Sequence, residues 1–462
     1  MGLSGMEGKA YPRAPYDHAM TTSSVAKRTA RTAAKPTSKR ASKPAATPTA
    51  HAPVLTASQH ARMMRWLLEL TALPTAAGRE HRVMAWIDQW LMVRADRLAV
   101  RRDDAGNYLI TRRDLPRGAQ QVLMTAHLDH PAFVVTRIER GRVHLEFRGG
   151  VLDAYFAGAR LEAFDAGDGR HALRIERADL KATHFKTAVA VPTGSAAAKA
   201  RALRDLAAGD IARWRWAGSR GDDRASIATR SLPPIGAMRG LRRVKVLQTH
   251  ACDDLAAAAI ALAVLDACLA RKDMAHLGLV LTVAEEVGFI GAIHAARAGF
   301  IPKRALLLNL ENSRSYPHDS PIGAGAILRI GDRATVFDAG IVNGLSAEFG
   351  KLAKADPRFR CQRKLMPGGW CETTAFGCYG YRSVCLCLPL GNYHNMERLE
   401  RVEAGTGPAR MGPEFVAVDD CTSLASMLLV AAAILARPIA WDGKATMETL
   451  YAQKKRVLTP LA

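Results

Sequence analysis

Five short segments carry side chains able to grip divalent cations: AHLDH (126–130), HACDDL (250–255), VAEEVGFIGA (283–292), LNLEN (309–313) and GNYHNME (391–397). Each sets a His or a carboxylate at or just beyond an apolar run. His127 has Asp129 two residues on, a carboxylate placed to fix the imidazole tautomer and raise its basicity, so His127 is the ligand candidate and Asp129 its orienter. Glu285 and Glu286 are adjacent at the end of an apolar strand and point different ways. One can bind metal while the other faces substrate as acid and base. Singly, each segment also suits a solvated face, a helix N-terminus or a hydrogen-bonded loop. Together they supply two His and three carboxylates plus a spare Glu, a donor set suited to two divalent ions sharing a bridging Asp. The eight cysteines contain no CxxC pair, which argues against thiolate ligation. They read as reduced core thiols, with Cys385 and Cys387 on one face of a strand.

The elements that must position these groups follow from periodicity. TASQHARMMRWLLELTAL opens near Thr56 with apolar residues at helical spacing (Met63, Leu67, Leu70) and breaks at Pro74; GREHRVMAWIDQWLMVRA predicts a second helix. QVLMTA (121–126) is a short buried strand delivering His127 at its C-terminal end, where open α/β sheets place their ligands. From 134 to 246 the texture becomes short alternating runs such as RVHLEF, ARLEAF, HALRIE and ARWRWA, a small β-rich insert. Beyond it a helix over 254–271, strand 277–283, a helix near 290–299, strand 304–310, a helix near 335–354, strand 383–388 and helix 418–436 restore α/β alternation. The expected organisation is a basic tail (1–52), a catalytic α/β domain (53–133 and 247–462) and the inserted domain (134–246). The Gly-rich stretch HDSPIGAGAILRIGDR (318–333) reads as a loop shaping the cleft, not as a phosphate-binding turn, because it opens no βαβ unit.

Composition bounds the function classes. At 462 residues and 48% hydrophobic content, the chain can bury a large core. Its longest apolar stretches stop near 14 or 15 residues, short of the roughly 20 a bilayer span needs. With no secretory pattern at the N-terminus either, a cytoplasmic protein without membrane contact is expected. Net charge is +22, and residues 1–52 hold nine Lys or Arg against two acidic residues. Its residues 21–52 are almost free of large apolar side chains, and the tail is expected to be disordered. It offers weak, non-specific contact with nucleic acid, although a surplus of this kind more commonly serves solubility.

In order and spacing, residues 57–440 resemble the dinuclear-zinc exopeptidases, and within them the glutamyl, deblocking and tetrahedral aminopeptidases: His-x-Asp, then Asp-Asp, Glu-Glu-Val-Gly, an acidic residue after a strand, and a late His. The resemblance implies a three-layer, mixed-sheet α/β zinc-exopeptidase domain carrying the inserted β-rich domain. It implies that Asp253 bridges two ions, zinc with cobalt or manganese as alternatives, that His127 and Glu311 complete one site and Glu286 and His394 the other, and that Asp254 supports Asp253 across a cis peptide. Glu285 is then the general base for a two-metal-activated water that hydrolyses N-terminal residues from peptides. PGGWCETTAF (367–376) matches a loop that lines the substrate pocket in relatives, making Glu372 a candidate contact for a substrate amino group. Two departures concern substrate choice: Glu311 stands where such aminopeptidases usually carry Asp, and Leu255 where close relatives often carry Arg. Alternatives are therefore a carboxypeptidase or N-acyl amino-acid deacylase using the same metals, and an inactive hydrolase fold that binds polyanions. Expected partners are a peptide or an aminoacyl or N-acyl amide, with a homo-oligomer implied by relatives that assemble into shells.

Overall fold

The computed structural model describes residues 52–216, 224–236, 238–437 and 443–458. All but the last residue of the expected basic tail lies outside them. Its centre is an eight-stranded mixed sheet in the order Leu98–Arg102, Tyr108–Arg112, Leu277–Thr282, Val122–His127, Leu306–Arg314, Arg382–Leu390, Ala326–Gly331, Cys361–Leu365. Leu277–Thr282, Val122–His127, Leu306–Arg314 and Arg382–Leu390 run parallel, so their C-terminal ends share one edge of the sheet.

Alternation along these strands builds three layers. Val122, Met124, Ala126, Leu279 and Leu281 face one core with the helices Ala57–Leu70, Leu255–Cys268 and Val418–Leu435. Leu123 and Val280 face the other, with Ala292, Ala295 and Phe376 from the helices Ile290–Arg297 and Glu372–Cys378. The first helix starts where its sequence says it should: Thr56 Oγ1 accepts the Gln59 N–H at 3.3 Å while Gln59 Oε1 accepts the Thr56 N–H at 2.9 Å, a capping box. Val418–Leu435 is long and apolar enough to cross a membrane, but 72% of it is buried inside the protein.

Ala132–Glu139, Arg142–Arg148, Thr187–Pro192, Arg170–Asp179, Arg160–Phe164 and Ile211–Arg215 close into a six-stranded barrel. Its core stacks Phe133, Phe147 and Phe156 around Trp214, with ring centroids 4.7 to 5.5 Å from the indole. Ser226–Leu232 and Arg242–Thr249, which the sequence grouped with this β-rich stretch, instead form a separate three-stranded sheet in which Arg242–Thr249 lies between Ser226–Leu232 and Glu414–Ala417 near the end of the chain. One expectation is corrected. Ala326–Gly331, read as part of a cleft loop, is a strand of the main sheet, because AILRIG is buried between two strands and the glycines before it only form its approach.

Trp214 is fully buried, and truncating a residue of that size in a packed core costs about 3–5 kcal/mol. Trp214→Ala is expected to lower the unfolding free energy by that amount in urea denaturation. A loss below about 1 kcal/mol would contradict this packing.

Candidate metal centre

The expected donors converge at the shared C-terminal edge. His127 ends its strand, Glu285 and Glu286 follow Leu277–Thr282, Glu311 lies in Leu306–Arg314, and His394 follows Arg382–Leu390. Asp253 arrives separately, just before the helix Leu255–Cys268. His127 Nε2 lies 3.6 Å from Asp253 Oδ1 and 4.0 Å from Glu285 Oε2; His394 Nε2 lies 3.7 Å from Asp253 Oδ2 and 3.4 Å from Glu286 Oε1. Donor atoms of His127, Asp253 and Glu311 fall within 4.8 Å of one another, as do those of Asp253, Glu286 and His394. These two sets share Asp253. Each imidazole donates its Nδ1 proton to a backbone carbonyl, Asp129 at 3.2 Å and Gly150 at 2.5 Å, which turns Nε2 toward the carboxylates and leaves that nitrogen for a cation.

This donor chemistry fits divalent cations. Glu286 Oε1 and Glu311 Oε1 are buried and accept no hydrogen bond. Burial, reinforced by neighbouring carboxylates, pushes Glu285 and Glu286 well above the usual carboxylate range and Glu311 up to about 7. Burial also opposes ionisation of Asp253, yet the close approach of His127 and the charge that its imidazole can carry hold it below the ordinary value. His394 is pushed down to about 4 by burial. Burial pulls the same way on His127, but Glu285, Asp129 and Asp253 outweigh it and raise the group. So much acidity in so little solvent is unfavourable unless cations compensate it.

The groups that hold this arrangement are mostly carboxylates bonded to backbone. Asp129 was expected to orient His127 through its carboxylate, which does lie 3.5 Å from His127 Nδ1. Its hydrogen bonds go elsewhere: Oδ1 accepts the N–H of Glu285 at 2.9 Å and Oδ2 that of Glu286 at 3.0 Å. The Asp129 carbonyl, not its side chain, takes the His127 proton. Glu414 was missed. Fully buried, it accepts the N–H of Cys252 at 2.8 Å and Asp253 at 3.0 Å on Oε2, and that of His394 at 2.8 Å on Oε1. It tethers two donors at once, and its short strand EFVA carries no motif to flag it. His130 donates from Nδ1 to the Asp253 carbonyl at 2.6 Å, and Asn312 Nδ2 donates to the Cys252 carbonyl at 3.0 Å and to Asp254 Oδ1 at 3.2 Å. Both lie inside the segments singled out above, adjacent to or near a donor. The Asp253–Asp254 peptide is cis.

Glu372, the expected contact for a substrate amino group, sits deeper than the cavity lining. Its side chain, at the start of a short helix, is fully buried, accepts no hydrogen bond and is not among the residues lining the cavity, although its carboxylate lies near enough to His127, Glu311 and Asp129 to interact with them electrostatically. Burial raises it to about 8. The cavity itself is about 580 Å³, with the donors at its floor, Gly150–Leu152 from the stretch after the barrel's second strand on one side, and Met366–Trp370 at the rim. Arg314, Arg329 and Lys364 also line it.

Residues 239–404 match the model of the M42 glutamyl aminopeptidase family. Over that segment the chain resembles the M42 aminopeptidases. His127 lies ahead of the matched segment; the other donors fall inside it. No curated protein matches the chain in sequence. Among solved structures it is similar to the Pyrococcus horikoshii TET1 peptidase, which can assemble into a tetrahedron or a large octahedral shell (18% identity, 80% of this chain and 99% of that one, TM-score 0.56). It is also similar to an aminopeptidase from the archaeon Desulfurococcus kamchatkensis (18%, 82% and 98%, 0.57) and to a TET aminopeptidase from a marine-sediment Thaumarchaeota archaeon (16%, 84% and 99%, 0.59). At these identities the likeness is one of fold.

Glu414→Gln replaces an acceptor oxygen by a donor against buried N–H groups, and a buried unsatisfied group costs about 1–3 kcal/mol. The variant, measured in the presence of chelator so that metal is not involved, is expected to unfold at lower denaturant by that amount. Wild-type stability would contradict the tether.

Proposed function

We propose that this protein is a metal-dependent aminopeptidase in which His127, Asp253, Glu286, Glu311 and His394 hold two divalent cations and Glu285 is the general base. The observation that carries the reading is the pair of three-residue donor sets sharing Asp253, with Glu285 beside them at the cavity floor. Divalent cations bound there would polarise a scissile carbonyl and acidify water near neutral pH. Glu285, its carboxylate 4.0 Å from His127 Nε2 and open to the cavity, takes a proton from the attacking water and returns it to the leaving amine. The cavity walls orient the peptide and limit water. The division of the chain into a catalytic α/β domain and an inserted barrel, and assembly into a homo-oligomer, belong to the same proposal.

Arg329 favours a substrate that brings a carboxylate. Its side chain is buried on the cavity wall; Nη2 donates to the Asn312 carbonyl at 3.1 Å and Ser313 Oγ at 2.7 Å, while Nε and Nη1 have no partner. Those spare donors suit a glutamyl side chain, as the matched family's name has it, or the C-terminal carboxylate of a carboxypeptidase or deacylase substrate. Aminoacyl amides with a free α-amine and N-acyl amino acids separate the two: hydrolysis of the former alone supports the aminopeptidase, of the latter alone the second reading.

Glu285→Gln is expected to lower kcat by at least about 10²-fold with metal content unchanged in elemental analysis, whereas His127→Ala and Asp253→Ala lose metal. A fully active Glu285→Gln variant would remove Glu285 from the mechanism.

A further inference from the structure

Four successive backbone N–H groups leading into the Glu285–Glu286 pair are each accepted by a buried side chain from elsewhere in the chain. Val283 N–H goes to Asn107 Oδ1 at 3.0 Å, Ala284 N–H to Glu80 Oε1 at 3.0 Å, and the Glu285 and Glu286 N–H groups to the two oxygens of Asp129. The turn needs such restraint. Ala284 has φ +53° and Phe289 φ +62°, left-handed conformations that side chains other than Gly adopt at a cost. At Gly291 a Cβ would come 2.1 Å from the Val283 carbonyl oxygen, so the chain folds back on itself with no room to spare. Asn107 ties the two ends, since its Nδ2 also donates to the Gly291 carbonyl at 3.0 Å.

Glu80 is the least expected member. It sits at the start of the helix His81–Met92, does not cap that helix with its side chain, and is 4% exposed. The same Oε1 that accepts Ala284 N–H also accepts Gly78 N–H at 2.8 Å, where the backbone has φ +73°. One carboxylate oxygen thus joins the loop between the first two helices to the residue immediately before Glu285. A carboxylate buried beside Asp129 is a poor choice for packing, and an apolar residue would fill the space at less cost. What it supplies is an acceptor at one strained position.

We propose that Glu80 is a positioning residue for Glu285, an inference that rests on the aminopeptidase reading above. By fixing the Ala284 amide it sets the direction in which the Glu285 carboxylate leaves the backbone, while Asp129 fixes the next two amides. Because Glu80 touches neither substrate nor metal donors, its loss acts on the orientation of the base and not on binding.

The test compares Glu80→Ala, Glu80→Asp and Glu80→Gln in the full chain with divalent metal present, using an aminoacyl p-nitroanilide, elemental analysis and amide hydrogen exchange over the peptide containing residues 283–286. Glu80→Ala is expected to lose about 10–100-fold in kcat, the range typical of outer-sphere partners, with KM within about twofold and metal content unchanged. Exchange at that peptide should accelerate about tenfold. Glu80→Gln retains an acceptor oxygen and should recover most of kcat. Should Glu80→Ala fail to fold, Glu80→Asp, one methylene shorter, is expected to show the same kcat loss. Unchanged kcat in the folded Ala or Asp variant, or a Gln variant as impaired as Ala, would overturn the proposal. If the wild type hydrolyses no amide, the aminopeptidase reading fails by itself; exchange alone then decides whether Glu80 holds the turn, and unchanged exchange sinks it.

Discussion

The concentration of buried acid at one edge of the central sheet is the constraint on which the rest of the structure depends. Asp253, Glu285, Glu286, Glu311 and Glu414 lie within one buried region with two imidazoles. Carboxylates repel one another and lose hydration when buried, so an arrangement of this kind survives only with fixed donors around it and positive charge within it. Backbone N–H groups provide the donors. Asp129, Glu80 and Glu414 together accept those of Ala284, Glu285, Glu286, Cys252, Asp253 and His394. The site is therefore held by its own main chain, and the side chains that face inward are left free for ligation.

The fold explains why these amides are available. Parallel strands end together, and the chain must turn sharply at each end before the next helix; those turns expose N–H groups that no sheet ladder satisfies. The strand Glu414–Ala417 adds an accepting carboxylate from outside the main sheet, delivered by its pairing with Arg242–Thr249, the strand that leads to Asp253. The barrel enters the site through Gly150, whose carbonyl fixes the His394 tautomer. A β-rich module remote in sequence from His394 thereby takes part in positioning it.

Much of this was legible in the sequence, and the reason is local. Strand ends followed at once by His, Asp or Glu can be read from short windows, and so could the helices with clear periodicity, such as Ala57–Leu70 and Val418–Leu435. What could not be read depends on pairing across long separations. Glu414 looks like an isolated charge in a short apolar run until the register with Arg242–Thr249 brings it under Asp253. Ala326–Gly331 follows a glycine-rich approach that mimics a loop. Glu372 lies in a Gly-Gly-Trp stretch whose rim residues do line the cavity, but the helix starting at Glu372 turns the carboxylate into the interior. Asp129 does lie beside His127, yet the nearer competition from two backbone amides decides where its hydrogen bonds go.

Elemental analysis of the purified chain across a chelation and reconstitution cycle, read together with hydrolysis of an aminoacyl amide, tests the central claim most directly. The account predicts two divalent ions per chain, hydrolysis lost on chelation, and hydrolysis restored with the second ion. Hydrolysis that persists at zero metal, or a chain that binds no divalent ion at any concentration, would contradict it.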